Sequence, residues 1–300
     1  MTQAAGNAVA ARGEAAHRSF TLGGEAGRTI RGDIDTPAGV VVGRCILLPA
    51  FGLTKLDLLV MAYYLLVNGF EVVRFDPTCH VGDSDGDVGD FRLGTLACDV
   101  ERVAAHHADA DTAVVGISLS SRAAFRALAG VDLKGLFLLA PVVHTRQTLF
   151  EVCGEDLIGQ HLEGSAPEAY SILDMMVARA FCEDCVAGRF DSLASTQDDA
   201  RRVAAPTCLV VGSQDRWVAP EDVAQVADVM PACRLITLDG ANHQMFRSPV
   251  MFQAYLAVLL QELRSAYGQV GEPVLPRFAE VVRYVNAAKR QRRDAEALCD

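Results

Sequence analysis

The sequence predicts an α/β fold in which helices cover both faces of a mostly parallel central sheet. Apolar runs of strand length alternate with helical stretches over residues 18–141 and again over residues 205–300. Such alternation is typical of parallel strands joined by crossover helices. The alternation is lost over residues 142–204, which we expect to form a mainly helical lid between two strands. Residues 1–17, rich in Ala and Gly, are expected to be a disordered tail.

Each element of this prediction rests on local composition. A Gly-Gly-Glu-Ala-Gly turn between two short runs predicts a β-hairpin of residues 19–22 and 28–33. Apolar runs predict further strands at residues 40–49, 70–75, 113–115, 133–140, 207–211 and 234–238. Apolar residues at helical spacing predict helices at residues 56–67, 93–107, 119–130, 169–181, 220–230, 249–267 and 277–298.

Composition excludes several classes of function. The chain has 300 residues, 51% of them hydrophobic, which is enough for one large core. Its net charge of −11 argues against a nucleic-acid-binding surface. The longest apolar run is strand-sized, so we expect no membrane span. The N-terminus lacks a basic segment followed by an apolar one, so a cytoplasmic protein is expected.

The nine cysteines are scattered along the chain. Cys182 and Cys185 form a CxxC motif, but no second pair follows at zinc-ligand spacing. Structural filling is therefore the favoured interpretation of both thiols. We expect no metal, no cofactor and no required disulfide.

Residues 111–130 contain a candidate nucleophile. A β-branched run leads into Gly-Ile-Ser-Leu-Ser at residues 116–120, and helical spacing follows. This order of strand, sharp turn and helix resembles a nucleophile elbow with Ser118 at its tip. The N–H of Leu119 would then face a developing oxyanion. The usual second Gly is Ser120 here, and the alternative is that Ser118 merely caps the helix.

Two further residues strengthen the catalytic interpretation. Asp215 and His243 each follow a predicted strand, so both fall at the sheet edge where Ser118 lies. The order Ser, Asp, His is that of α/β-hydrolases. In such a triad His removes the serine proton and Asp orients the His. Asp239 also follows a strand and competes with Asp215 for the acid role.

The remaining candidate site residues lie in loops. Phe51 follows the strand predicted at residues 40–49, so its N–H is the candidate second oxyanion donor. His80 lies in His-Val-Gly-Asp-Ser, which resembles the G-H-G-x-S loop common in this fold; we expect it to be structural or pocket-lining rather than a base. The candidate substrate-pocket residues are Gly52, His80, Trp217, Met175 and Met176.

At these residues the chain resembles a specific family, the acyltransferase/acyl-ACP thioesterase of bacterial bioluminescence. The matching stretches are Ser-Leu-Ser at residues 118–120, the segment 68–82, Phe-Asp-Ser-Leu at residues 190–193, Asp-Arg-Trp-Val at residues 215–218 and the helix around residue 285. The resemblance covers about residues 18–295. It implies that Ser118 is the nucleophile, Asp215 the acid and His243 the base. Gly116 stands where that family usually has Ala, and residues 51–55 and 150–168 differ from the family.

The resemblance implies a serine acyl-thioester hydrolase or acyltransferase that takes an acyl chain from acyl-ACP or acyl-CoA. Water or another acceptor would receive the chain, within a fatty-acid, polyketide or other biosynthetic pathway. An acidic acyl carrier protein would need a basic patch. Candidate residues are Arg122, Arg126, Lys289, Arg290, Arg292 and Arg293. The alternatives are a carboxylesterase of a small or lipid ester and a non-catalytic binding protein.

Overall fold

An eight-stranded sheet organises the chain in the computed structural model, which describes residues 15–244 and 248–296. The described strands, of which all but the seventh and eighth belong to this sheet, are β1 (Ala16–Gly23), β2 (Thr29–Thr36), β3 (Gly43–Leu48), β4 (Phe70–Asp76), β5 (Thr112–Ile117), β6 (Gly135–Leu139), β7 (Ala169–Ile172), β8 (Met175–Ala178), β9 (Thr207–Gly212) and β10 (Cys233–Leu238). The α-helices are α1 (Leu59–Val67), α2 (Leu93–His107), α3 (Leu119–Ala127), α4 (Thr145–Cys153), α5 (Leu157–Leu162), α6 (Ala180–Ala187), α7 (Leu193–Ala200), α8 (Pro220–Ala227), α9 (Pro249–Ala266) and α10 (Phe278–Glu296).

The sheet order places β5 near the middle of the parallel strands. The order is β1-β2-β4-β3-β5-β6-β9-β10. Strands β4, β3, β5, β6, β9 and β10 pair in parallel, whereas β1 pairs antiparallel with β2, and β2 antiparallel with β4. The carboxyl ends of the parallel strands therefore share one edge, where loops from several strands converge.

Each face of the sheet has its own apolar cluster. On one face, side chains from α1, α9 and α10 pack on the sheet. On the other, α2, α3 and α8 pack together with buried residues of the 142–204 segment. The predicted mostly parallel sheet with helices on both faces is confirmed, and burial on both faces explains the continuous apolar strands.

The N-terminal hairpin is longer than the sequence pattern predicts. Residues 16 and 17 were expected in the disordered tail but belong to β1. His17 Nδ1 lies 2.8 Å from an Asp35 carboxylate oxygen on β2, which ties the strand start to its partner. Polar side chains on this edge strand hide the strand signal, since periodic apolar residues are what the pattern detects. The rest of the tail, residues 1–14, lies outside the described residues.

The segment 142–204 contains α4 to α7, as a mainly helical lid requires, but the expected helix over residues 169–181 is wrong. Residues 169–178 form a hairpin of β7 and β8, separate from the central sheet, and α6 begins at Ala180. Leu173 and Asp174 both have positive φ, of 50° and 64°, as a two-residue turn with the right twist requires. Tyr170, Ile172 and Val177 are buried, with exposed residues alternating. This alternation of buried and exposed residues is not evident in the sequence, because the apolar residues of the segment also fit helical spacing.

None of the described helices combines the length and hydrophobicity that a membrane crossing needs. The eight cysteines within the described ranges are free thiols. Cys182 and Cys185 are buried, and burial raises the pKa of the Cys182 thiol to about 11, so it is protonated at neutral pH. Across the described residues, no three His, Cys, Asp or Glu side chains are grouped to hold a metal ion.

Candidate active site

Ser118 stands on a strained turn between β5 and α3. Its φ of 54° and ψ of −121° are unusual for a non-glycine residue. The turn is fixed by backbone hydrogen bonds: the Ser118 N–H donates to the Leu139 carbonyl at 2.9 Å, and its carbonyl accepts from the Val142 N–H at 3.1 Å. Strain of this kind persists only where the surroundings fix it, as at the tip of a nucleophile elbow.

Close packing explains the small residues on either side of Ser118. A Cβ added to Gly116 would lie 2.8 Å from a Leu138 methyl carbon, too close for any larger residue without a shift. Ser120 is fully buried, and its hydroxyl donates to the Ile117 carbonyl at 2.9 Å and accepts from the Ile117 N–H at 3.0 Å. Ser120 therefore replaces the glycine of the common motif, and its buried hydroxyl is hydrogen-bonded within the turn.

A continuous chain of hydrogen bonds, the Ser–His–Asp chain, joins the three predicted side chains. Ser118 Oγ lies 2.7 Å from His243 Nε2, and His243 Nδ1 lies 2.9 Å from Asp215 Oδ2. Asp215 follows β9 and His243 follows β10, so the parallel strand ends bring them to Ser118. Asp215 and His243 are both buried.

The second oxygen of Asp215 fixes the carboxylate. Asp215 Oδ1 accepts hydrogen bonds from the N–H groups of Trp217 at 3.0 Å and Val218 at 2.9 Å. The competing Asp239 instead accepts from the Ser213 hydroxyl at 3.2 Å and is exposed. The Trp217 ring lies against His243, with ring centroids 4.8 Å apart. Trp217 therefore both anchors the acid and covers the imidazole.

The loop after β3, residues 50–55, carries the second predicted oxyanion donor and is called the 50–55 loop. The Leu53 N–H donates to the Ala50 carbonyl at 3.0 Å, which closes a β-turn with Phe51 and Gly52 at its centre. Gly52 has a φ of +80°, where glycine is favoured. Its N–H donates to His80 Nε2 at 3.1 Å. Among the described residues, the N–H groups of Phe51 and Leu119 have no hydrogen-bond acceptor.

A buried ion cluster holds the far end of this loop. The Lys55 N–H donates to Asp76 Oδ1 at 2.6 Å, and Lys55 Nζ donates to Asp83 Oδ2 at 2.7 Å. Lys55 and Asp76 are both buried. The sequence pattern does not predict this cluster, although a lysine among apolar residues close to a strand end is a signal that points to it.

His80 is buried beside the same loop, in an aromatic cluster with Phe51 and Phe91. Burial lowers the pKa of His80 to about 4, so the ring is neutral at physiological pH. Since Nε2 accepts the Gly52 N–H, the ring proton is on Nδ1.

The predicted pocket residues of the 142–204 segment fall into two groups. Met175 reaches the 50–55 loop, since a Cβ on Gly52 would lie 2.6 Å from the Met175 methyl carbon. Met176 points away from the interior, with 58% of its surface exposed. Four other apolar residues of this segment are buried in the apolar cluster shared with α2 and α3: Leu157, Ile158, Ile172 and Val177. Those four hold the segment onto the sheet.

The structure removes Arg122 from the candidate docking surface. Arg122 is fully buried, and its guanidinium donates to Asp199 on α7 at 2.8 Å and to the Arg189 carbonyl at 2.7 Å. Arg126 is half-buried and also donates to Asp199, at 2.8 Å. Both arginines thus fasten α3 to the 142–204 segment. Lys289 and Arg290 are exposed on α10, whereas the side chains of Arg292 and Arg293 lie outside the described residues.

Comparison with known proteins identifies the family of the chain. A family model described as "Acyl transferase" matches residues 45–263. The chain belongs to the acyl transferase family. An acyl transferase of Vibrio harveyi is 26% identical over 200 residues, which span 65% of this chain and 66% of the relative, just under two thirds of its length. An acyl transferase of Aliivibrio fischeri is 26% identical over 250 residues, or 79% of this chain and 80% of the relative.

Solved structures identify the fold. Est1E from Butyrivibrio proteoclasticus with bound ferulic acid superposes with a TM-score of 0.64 at 19% identity, covering 79% of this chain and 97% of that one. The α/β-hydrolase GrgF from a Penicillium species gives a TM-score of 0.65 at 17% identity, covering 84% of this chain and 99% of that one. The chain therefore has the α/β-hydrolase fold, as the sequence predicts.

Proposed function

We propose that this acyl transferase is a serine enzyme that takes an acyl chain from a thioester, acyl-ACP or acyl-CoA, onto Ser118. It then passes the chain to water or another acceptor. The observation that carries the proposal is the Ser–His–Asp chain, with contacts of 2.7 Å and 2.9 Å, on a strained turn of an acyl transferase family member. A helix cap would need neither partner.

Each residue has a distinct role in this mechanism. Ser118 Oγ attacks the thioester carbonyl carbon while His243 Nε2 takes the hydroxyl proton. Asp215 keeps the other ring proton of His243 on Nδ1 and stabilises the imidazolium that forms. The carbonyl oxygen becomes an oxyanion, which the N–H groups of Leu119 and Phe51 would stabilise. Neither N–H is engaged elsewhere among the described residues, which supports this role.

Collapse of the intermediate breaks the carbon–sulfur bond and leaves an ester on Ser118. The thiolate leaves readily and takes up the proton held by His243, so less help from His243 as general acid is needed than with an amide. Water, or another acceptor, then attacks the ester while His243 removes its proton, and His243 returns a proton to Ser118 Oγ as the acyl group leaves. Gly52, His80, Trp217 and Met175 are proposed to shape the pocket, whereas the exposed Met176 is not. Met175 and Trp217 have the strongest support because they contact Gly52 and His243.

A paired substrate comparison tests the thioester proposal. The turnover of a medium or long acyl thioester is compared with that of an oxygen ester of equal acyl length. We expect faster acylation by the thioester, with acyl-enzyme trapped on rapid quenching. Equal or faster turnover of the oxygen ester, with no acyl-enzyme formed from the thioester, would favour a carboxylesterase instead.

A further inference from the structure

The hydrogen bond between His80 and Gly52 selects which backbone N–H of the 50–55 loop stays available. A β-turn uses the N–H of its fourth residue, here Leu53, and leaves the two central N–H groups outside the turn. His80 Nε2 accepts the N–H of Gly52, which leaves that of Phe51. The loop is held at its other end by the Lys55–Asp76 hydrogen bond of 2.6 Å. The orientation of the Phe51 peptide is therefore fixed from both sides.

We infer that His80 is a positioning residue for oxyanion stabilisation, which holds Gly52 so that the Phe51 N–H faces the carbonyl oxygen attacked by Ser118. The inference rests on the proposed function and adds to it a residue outside the Ser–His–Asp chain. His80 acts through the Gly52 N–H and does not exchange protons with the substrate.

The choice of histidine at this position supports a role for its Nε2 atom. The ring lies beside Phe51 and Phe91, with centroid distances of 5.6 Å and 5.4 Å, and these ring contacts do not need a nitrogen atom. Histidine instead brings a buried Nδ1 that makes no hydrogen bond at ordinary distance and angle. A buried polar group whose hydrogen bond is poor or absent destabilises a fold. The acceptor at Nε2 is what histidine adds.

A general-base role for His80 does not fit the same contacts. Its Nε2 lone pair is occupied by the Gly52 N–H at 3.1 Å, and Ser118 already has His243 at 2.7 Å. Burial keeps the ring neutral, which preserves the acceptor over the pH range in which hydrolases work. Simple packing in the aromatic cluster is the remaining alternative, and the variants below separate it from positioning.

Two substitutions of His80 separate the acceptor from the ring. His80→Phe keeps an aromatic ring and removes the acceptor, whereas His80→Gln loses the ring and places an amide oxygen near the position of Nε2. Phe91→Leu is the matched control, because it disturbs the same cluster and leaves the acceptor intact. Melting temperatures of all three variants report on folding.

The readouts distinguish transition-state from ground-state binding. An alkyl trifluoromethyl ketone forms a tetrahedral adduct with a nucleophilic serine and places an oxyanion in the site. A non-reactive thioether analogue of the substrate, lacking the carbonyl group, reports ground-state binding alone. The rate constant for acylation by a thioester is measured in parallel.

We expect His80→Phe to lower the acylation rate constant and the trifluoromethyl ketone affinity about 10-fold to 100-fold, less than loss of a whole oxyanion donor. Thioether affinity should stay within about 2-fold, since the oxyanion is absent there. His80→Gln should recover most of the loss, and Phe91→Leu should lower the melting temperature alone.

Two outcomes overturn the inference and leave the proposed function intact. One is a His80→Phe variant that matches the wild type in acylation and ketone affinity. The other is an equal loss of ketone and thioether affinity in all three variants, which would indicate packing. A wild-type protein that neither binds the ketone nor forms an acyl-enzyme would overturn the inference together with the proposed function.

Discussion

The two regions that meet at Ser118 are built from different kinds of hydrogen bond. The Ser–His–Asp chain consists of side-chain contacts of 2.7 Å and 2.9 Å between residues 118, 243 and 215. The 50–55 loop offers a backbone N–H, and side chains such as His80 and Lys55 hold that backbone in place. Removing a side chain of the Ser–His–Asp chain removes a group that takes part in proton transfer or orients the base. Substituting a side chain beside the 50–55 loop leaves the backbone N–H present and can only change its position.

This difference predicts a graded set of effects. Substitutions in the Ser–His–Asp chain should abolish or nearly abolish the chemistry, and those around the 50–55 loop should reduce it by smaller factors. A variant whose effect falls outside this order would contradict the division between the two regions.

Loss of the base should have the largest effect. His243→Ala leaves the Ser118 hydroxyl without its proton acceptor at 2.7 Å. We expect the acylation rate constant to fall by about 10⁴- to 10⁶-fold, as base removal does in serine proteases. Rapid-quench measurement of acyl-enzyme provides the value, with the circular dichroism spectrum as the folding control. A fall of less than about 10-fold, far below the usual effect of removing a triad base, would show that another group accepts the proton.

Loss of the acid should follow closely. Asp215→Asn can no longer accept from His243 Nδ1 as a carboxylate does, so the imidazole adopts the wrong tautomer. We expect a loss on the order of 10⁴-fold in kcat. Asp239→Asn is the matched control, because Asp239 contacts Ser213 instead and should change kcat little. A larger loss in Asp239→Asn than in Asp215→Asn would reverse the assignment.

Disturbance of the 50–55 loop should have a smaller effect. Gly52→Ala adds a Cβ 2.6 Å from the Met175 methyl carbon, at a φ of +80° that strains any other residue. We expect the loop to shift and the acylation rate constant to fall about 10-fold to 100-fold, part of the effect of one oxyanion donor.

Two further variants separate the causes of that loss. Gly130→Ala carries similar strain, at a φ of +74°, in open space and should leave the rate unchanged. Adding Met175→Ala to Gly52→Ala should recover part of the activity by removing the clash. No recovery would show that backbone strain alone moves the loop.

The smallest effect concerns stability and pH. Burial holds the pKa of His80 near 4 in the fold against 6.5 as a reference, so the unfolded chain binds more protons between these values. Wild-type stability from this group is therefore complete above about pH 6.5 and is lost as the pH falls towards 4. His80→Phe lacks this dependence, so the free-energy difference between wild type and variant should change by about 2 kcal/mol between roughly pH 6.5 and 4.5.

Urea unfolding of the two proteins at several pH values measures that difference. Other groups that titrate in this range, including His107 with its pKa near 4 and Asp99 with its pKa near 6, contribute equally to both proteins. Parallel stability curves for the two proteins would contradict the burial argument for His80.

The sequence predicts most of the sheet and the Ser–His–Asp chain for a clear physical reason. Buried parallel strands are continuous apolar runs, and the helix at Leu93–His107 has the bounds that its amphipathic spacing predicts. Residues 118, 215 and 243 follow strands, so the topology alone brings their loops to one edge. The three side chains come together because of the order of strands and helices along the chain, and that order can be read from the sequence.

Other features depend on local conformations or on contacts between distant residues that no sequence pattern marks. The β7–β8 hairpin turns at Leu173 and Asp174, without the Gly or Asn that usually marks such a turn. Arg122 has the pattern of a surface arginine until Asp199 meets it in the interior. The His80–Gly52 bond leaves no pattern at all, because every residue except proline carries a backbone N–H.

The most direct test of the central claim is the intact mass of the protein after brief exposure to a panel of acyl-CoA and acyl-ACP thioesters. The account predicts a mass increase of one acyl group, located on Ser118 by peptide mapping, with release of one thiol per acyl group. Ser118→Ala should show no increase while retaining its fold. Acylation of another residue, or release of free acid by Ser118→Ala at the wild-type rate, would contradict Ser118 as the residue that receives the acyl chain.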